Sequence, residues 1–441
     1  MSGPLRDVVL EWGMTDPLTP ARPILSRRGL LTATASTVAL GVAHARTRRP
    51  PGPTPAPLVP GDDAFWAEIQ GEFALDRTMS NLNNGGCSPS PRPVHAAYKR
   101  YLDQSNVAPP VTMWRQLEPG VEAVRAGLAA EAGCESDELA ITRNASEALQ
   151  IAQLGLDLEA GDEVLTTDQD YPRMRNTWAQ RARREGVVVK TVSFPVPLLS
   201  PGALIDSLEA ARTPRTKVVH VSHVVFLTGQ ILPVAEVCAW ARRHGITSIV
   251  DGAHAFAHAD TNLPAMGCDF YGTSLHKWLM APIGTGFLYV RRDRIAGHWA
   301  LQPGGPGQDD DIRKFEEIGT HPAAAHNAIA EALVFHRRMG MARKRDRLVA
   351  LRRRWSEPLR ADPRFTVHTP DSPDLARAIG LVDVEGVAPG DVVSALWREH
   401  RILATPIQHE QFRGVRISPN VYTEMGELDR LVGALRALAP A

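Results

Sequence analysis

The chain has 441 residues, 44% hydrophobic and 22% charged, a globular balance that excludes a disordered or collagen-like polymer. At roughly 100–200 residues per domain, that length suits two or three domains. Lys and Arg number 49 and Asp and Glu 49, so the formal net charge is zero, and binding nucleic acid through bulk charge is not expected.

Residues 26–31 read Ser26-Arg27-Arg28-Gly29-Leu30-Leu31, followed by a small, apolar run to Ala43 and then Ala43-His44-Ala45. A basic region, a short apolar region and a small-x-small site, in that order, resemble a twin-arginine signal over 1–45. The expectation is export in the folded state by the twin-arginine machinery to a periplasmic or other extracytoplasmic location. The apolar run falls short of the roughly 18 residues of a spanning helix, so an anchor is not expected. Six prolines between Pro50 and Pro60 then predict an extended tether over 46–61. Without residues 1–45 the chain holds 45 basic and 46 acidic residues, so near-neutrality survives cleavage.

The next segment, 62–93, is an N-terminal arm, and a large domain is expected over 94–315. Apolar residues recur at helical spacing over 120–132, and 139–142 forms a short strand. Asn144-Ala145-Ser146-Glu147 opens another helix. The rhythm continues with strand 163–167, helix 173–185, strand 187–194, helix 201–212, strand 217–221, helix 234–244 and strand 246–250. Such alternation predicts a mostly parallel sheet covered by helices. A smaller C-terminal α+β domain is expected over 316–441. It has helices at 341–359, 389–400 and 424–438, and strands near 365–368, 379–384 and 414–418. The basic run 343–354 reads as a solvated helix face.

In sheets of this kind ligands sit beyond the carboxyl ends of the strands. No G-x-G-x-x-G and no G-x-x-x-x-G-K-[ST] occurs, which removes the dinucleotide and P-loop readings. Three strand ends carry chemistry instead. At Thr142-Arg143-Asn144-Ala145-Ser146-Glu147, backbone N–H groups of a helix start and the Ser146 hydroxyl make an anion site, or else an ordinary cap. At Ile249-Val250-Asp251-Gly252-Ala253-His254 an aspartate directly follows an apolar strand. At Ser274-Leu275-His276-Lys277-Trp278 a lysine lies between a strand and the turn Gly284-Thr285-Gly286. His254 and His258 stand four apart, but Glu does not follow the first His, so H-E-x-x-H fails and no metal is expected. An exported metal-binding protein using those two histidines is the non-enzymatic alternative. The cysteines Cys87, Cys134, Cys238 and Cys268 form no C-x-x-C pair and read as structural thiols.

Together the three segments resemble the class V aminotransferase family of pyridoxal 5'-phosphate (PLP) enzymes, on fold type I, nearest its isopenicillin-N-epimerase-like branch. The resemblance covers about 62–438, and S-x-H-K, with D-x-A-H 26 positions before its lysine, is its specific part. It implies a seven-stranded, mostly parallel large-domain sheet. It also implies that Lys277 is the Schiff-base lysine and that Asp251 faces the pyridine nitrogen. His254 would contact the ring's phenolic oxygen, and Tyr171 would stack on the ring. Ala145, Ser146, Ser274 and His276 match phosphate-binding positions. Thr320, in Gly319-Thr320, would reach the phosphate of a neighbouring subunit, so a homodimer is implied. Arg416 would hold a substrate carboxylate, with Asn84 and Gly86 lining the substrate site.

By the same resemblance, the chain would be an enzyme acting on the α-amino group of an amino acid or peptide-derived amine through an external aldimine. Lys277 would serve as general base, and the outcome would be transamination or epimerisation. Modification of a glutamyl side chain on a siderophore-like peptide, and C–S bond cleavage, are the alternatives. The family's desulfurases carry Asn where this chain has Val224-Val225-Phe226-Leu227, and no cysteine follows Cys268. The persulfide nucleophile of a cysteine desulfurase therefore has no counterpart.

Overall fold

A computed structural model of the chain describes residues 63–440. The signal and tether expected over 1–61 lie outside the described residues. Strands are numbered in chain order: β1 (Ser80–Asn81), β2 (Leu139–Thr142), β3 (Glu163–Thr167), β4 (Val188–Val192), β5 (Thr216–Ser222), β6 (Thr247–Asp251), β7 (Phe270–Ser274) and β8 (Gly286–Val290). The smaller region adds β9 (Phe365–Val367), β10 (Gly380–Val384), β11 (Ile402–Leu403), β12 (Thr405–Gln408) and β13 (Arg413–Ile417).

Seven strands form one sheet in the order β2-β8-β7-β6-β5-β3-β4. From β7 to β4 every pairing is parallel, and β8 runs antiparallel to both β7 and β2. The central strands β5 and β6 are short runs rich in β-branched residues and β7 carries Phe270 and Tyr271, nearly all of them buried on both faces, as a sheet covered on two sides requires. Helices Ala145–Leu154, Pro172–Glu185, Pro201–Ala211 and Val234–Arg243 link the strands. Polar strand ends are thereby gathered along one edge, where Ser222 pairs with Asp251 and Asp251 with Gly272.

The smaller, antiparallel sheet has the order β12-β13-β10-β9 and packs with helices Met341–Arg360, Pro389–His400 and Met425–Leu438. The N-terminal arm lies beside it in a separate two-stranded sheet, where β1 pairs in parallel with β11, and Asn83 bridges to Ser418. This places Asn83 to Cys87 between the smaller sheet and the strand ends of the larger one. Among the described residues no helix is long and apolar enough to cross a membrane.

Two expectations need correction. The basic run 343–354 is not wholly solvated, because Lys344, Arg347 and Arg352 are buried. Each donates to loop carbonyls: Lys344 to Trp278, Arg347 to Thr423, and Arg352 to Arg377 and Asp371. The cysteines also divide, with Cys238 and Cys268 buried but Cys87 and Cys134 only partly so. Helices Arg92–Val107 and Ala323–Met339 are further elements that the sequence pattern does not announce.

Candidate active site

The three chemistry-bearing segments meet at the carboxyl ends of β2, β6 and β7. Asp251 ends β6 and is almost fully buried; its Oδ1 accepts from the N–H of Ala253 at 2.9 Å. Gly252 must be glycine, because a Cβ there would collide with the Tyr271 ring. Burial raises the Asp251 carboxyl to about 6, against the opposing pull of the Ala253 N–H and of Lys277. Lys277 lies two residues past Leu275, just beyond the Ser274 end of β7, and both Leu275 and Trp278 are fully buried. Burial is also what lowers its amine to about 8, with Asp251 acting the other way and Arg416 adding to the depression. Its Nζ lies 3.2 Å from Nε2 of His254, whose pKa burial holds far down, so the imidazole is neutral. Nδ1 of His254 is buried without a partner among the described residues.

Arg416, on β13, reaches the same place from the smaller sheet. Its Nη1 donates to the carbonyl of Phe226 at 3.0 Å and its Nη2 to Oδ1 of Asn83 at 2.7 Å, while Nε has no partner among the described residues. A buried guanidinium held on two sides with an open N–H is set to receive a carboxylate. Burial lowers it only to about 10, so it stays charged at neutral pH.

Asn144 caps helix Ala145–Leu154 by accepting from the N–H of Glu147 at 3.0 Å, so the capping reading of this segment holds too. Directly inside the cap, Ala145 N–H meets Oγ of Ser274 at 3.0 Å. Helix start, Ser274 and the half-buried Ser146 thus form a cluster of donors suited to an anion. His276 points elsewhere within the protomer: its Nδ1 pairs with the carbonyl of Thr285 at 3.2 Å. Tyr171, partly exposed, stands edge-on to Phe226 with ring centroids 5.3 Å apart. Phe226 therefore fills with an aromatic ring the segment where the desulfurases' Asn was in question.

Asn84 is fully buried and its carboxamide is consumed by the fold. It donates to the carbonyls of Asn81 and Ser418 at 3.0 Å each and accepts from the Tyr422 hydroxyl at 2.5 Å. It fixes the arm, and its neighbour Asn83 meets Arg416. Gly86 N–H closes the turn on the Asn83 carbonyl, while a Cβ on Gly85 would press on Ser418 and His254 at 3.3–3.4 Å. Thr320 is exposed, beside Gly319 at a φ of 71°, and shares no hydrogen bond with the Lys277 group among the described residues. Asp170 goes unnoticed in the sequence. Its carboxylate accepts from Thr166, Thr167 and Ser222, tying the ends of β3 and β5 together just before Tyr171.

The two-histidine metal reading fails on geometry. His258 Nδ1 bonds the carbonyl of His254 at 2.7 Å, and its Nε2 accepts from the N–H of Ala378 at 3.0 Å, leaving no ring nitrogen for a cation.

The profile of the class V aminotransferase family matches residues 80–431. The chain belongs to that family. Isopenicillin N epimerase of Streptomyces clavuligerus is 34% identical over 392 residues, covering 85% of this chain and 98% of the relative. The Amycolatopsis lactamdurans enzyme of that name is 33% identical over 85% and 98%. A probable cysteine desulfurase of Xylella fastidiosa is 27% identical over 84% of this chain and 94% of its own. Among solved structures, the apo cysteine desulfurase of Thermococcus onnurineus NA1 superposes with a TM-score of 0.74 at 23% identity, over 85% and 98% of the two chains. The cystine C–S lyase C-DES, complexed with cysteine persulfide, gives 0.74 at 22%, over 82% and 99%. These likenesses establish the PLP fold type I architecture.

As a class V enzyme the chain depends on PLP, and the residues present fit that group. The lysine amine near neutrality suits covalent capture of an aldehyde. Among the described residues no cation lies within hydrogen-bonding distance of the buried Asp251 carboxylate, and a protonated ring nitrogen would supply one. The helix start beside Ser274 offers N–H and O–H donors to a phosphate, and Tyr171 offers a ring face.

Proposed function

We propose that this class V enzyme is an epimerase, exchanging the Cα proton of an amino acid or peptide-borne amine whose carboxylate rests on Arg416. The supporting observation is the meeting of the Lys277 amine, lowered to about 8, with the Arg416 guanidinium and its open Nε. Two relatives a third identical along nearly their whole length carry the epimerase name. When bound, PLP supplies an electron sink for the pair left at Cα. Lys277 Nζ takes the Cα proton, solvent returns one to the opposite face of Cα, and at neutral pH a useful fraction of an amine near 8 is in the basic form. Asp251 holds the proton on the ring nitrogen. Asn83 and the Phe226 carbonyl hold Arg416, which orients the substrate. Persulfide chemistry has less support, because Cys268 is fully buried and burial raises the thiol of Cys87, the cysteine that senses Lys277.

Thr320 of a second copy would complete the phosphate site in a homodimer; a holoenzyme that sediments as a monomer removes this part of the reading. The reaction itself is decided by incubating the PLP-loaded enzyme with free and peptide-linked amino acids in D₂O. The expected result is deuterium at Cα with loss of chirality and with neither keto acid nor sulfide. Accumulating keto acid makes it a transaminase and released sulfide a C–S lyase, and either overturns the epimerase reading.

A further inference from the structure

The residue after Lys277 is a fully buried tryptophan, and its partner is an imidazole. Trp278 and His258 stack with ring centroids 3.9 Å apart and planes within 10°. An apolar side chain would fill that space without two nitrogens to satisfy, so the use of histidine calls for an explanation. Both nitrogens are paired. The N–H of Ala378 donates to Nε2 at 3.0 Å, so the proton sits on Nδ1, which donates to the His254 carbonyl at 2.7 Å. His254 in turn places its Nε2 3.2 Å from the Lys277 amine. The contacts therefore close a ring: Lys277 to Trp278 through the chain, then His258, then His254, then back to Lys277.

Two elements of the smaller region bear on this ring. Ala378 lies just before β10, in a segment docked on the loops that follow β5 and β6 through the Gln230–Ala376 bridge and the Arg377–Asp260 ion pair. Lys344, fully buried on helix Met341–Arg360, donates to the Trp278 carbonyl. Burial keeps the His258 ring neutral, with Lys344, Arg377 and His223, the charged and titratable groups that face it beside His254, acting in the same direction, and its two hydrogen bonds select the single tautomer that the ring of contacts needs.

We propose that His258 and Lys344 are positioning residues for Lys277, fixing the 276–278 turn so that the amine stays against His254. The proposal rests on the reading of Lys277 as the cofactor lysine, and the test separates the two. PLP-loaded full-length enzyme is compared with His258→Phe, which keeps the stack and loses both nitrogens, and with His258→Asn, which can keep the donor toward the His254 carbonyl. Lys344→Met keeps the stem and loses the bond to Trp278. The readouts are the pH midpoint of the visible absorbance of lysine-bound PLP, and kcat and KM taken separately. The Phe and Met variants are expected to move the midpoint by about half a pH unit or more and to lower kcat roughly tenfold, with KM within about twofold. The Asn variant should fall between them and the unaltered enzyme. Midpoints and kcat left unchanged, with only the melting temperature reduced, overturn the proposal. If the Phe variant does not fold, the Met variant decides alone. Absence of PLP capture at Lys277 in the unaltered enzyme strikes at the underlying reading, whereas normal capture with unmoved midpoints strikes only at the positioning role.

Discussion

Asp251 shows how a functional residue opposes the stability of the fold that carries it. Burial lifts its carboxyl from 3.8 to about 6, so the apoprotein is penalised for ionising it. Below pH 3.8 the group is protonated whether folded or unfolded, and nothing is lost. Between pH 3.8 and about 6 only the unfolded state ionises, so the penalty grows across that window to about 3 kcal/mol and stays constant above it. Asp251→Asn keeps an acceptor for the Ala253 N–H and removes the charge. The apoprotein variant should therefore be more stable than the parent above pH 6, by about 2–3 kcal/mol, with no difference near pH 3.8, while its turnover falls by about 100-fold or more. Denaturant titrations across that range check it, and a variant equally or less stable at pH 7 contradicts it. Asp251, Lys277 and Arg416 are legible in the sequence because each ends, follows or lies within a short apolar strand beside a distinctive neighbour. Asn83 is not: it and Asn84 are alike in type, and only the Asn83–Ser418 bridge decides which of them faces Arg416.

At the scale of elements, the parallel β–α rhythm is readable because each helix keeps a polar face. Ala323–Met339 escapes because its first seven residues are buried all round, which erases the period. Helix Met341–Arg360 misleads in the opposite sense. Its composition says solvent, yet Lys344, Arg347 and Arg352 satisfy carbonyls of loops that no neighbouring strand serves among the described residues. Arg352 and Arg354 separate the two environments on one helix. Arg352→Ala leaves the buried carbonyl of Arg377 without its side-chain donor and should cost roughly 2–3 kcal/mol. Arg354→Ala breaks only an exposed pair with Asp429 and should cost less than about 1 kcal/mol. Equal shifts in the denaturant midpoints of the two variants would refute this account of the helix.

At the scale of the whole molecule, the smaller sheet, the arm and the strand ends of the large sheet each supply part of one site: Arg416, Asn83, and Asp251 with Lys277. No single segment carries the activity, which is why the sequence yields the family more readily than the substrate. The twin-arginine signal proposed over 1–45 belongs to this scale as well. With Arg27 and Arg28 both changed to Lys, the precursor should be retained in the cytoplasm of a host with the twin-arginine route; undiminished export would refute that signal. The central claim is that Lys277 is the amine that captures the cofactor. Purified protein incubated with PLP and reduced with borohydride should gain one phosphopyridoxyl adduct per protomer by intact mass. Peptide mapping should place it on Lys277, and Lys277→Ala should gain none. An adduct on another lysine, or unchanged labelling of the variant, would contradict the account.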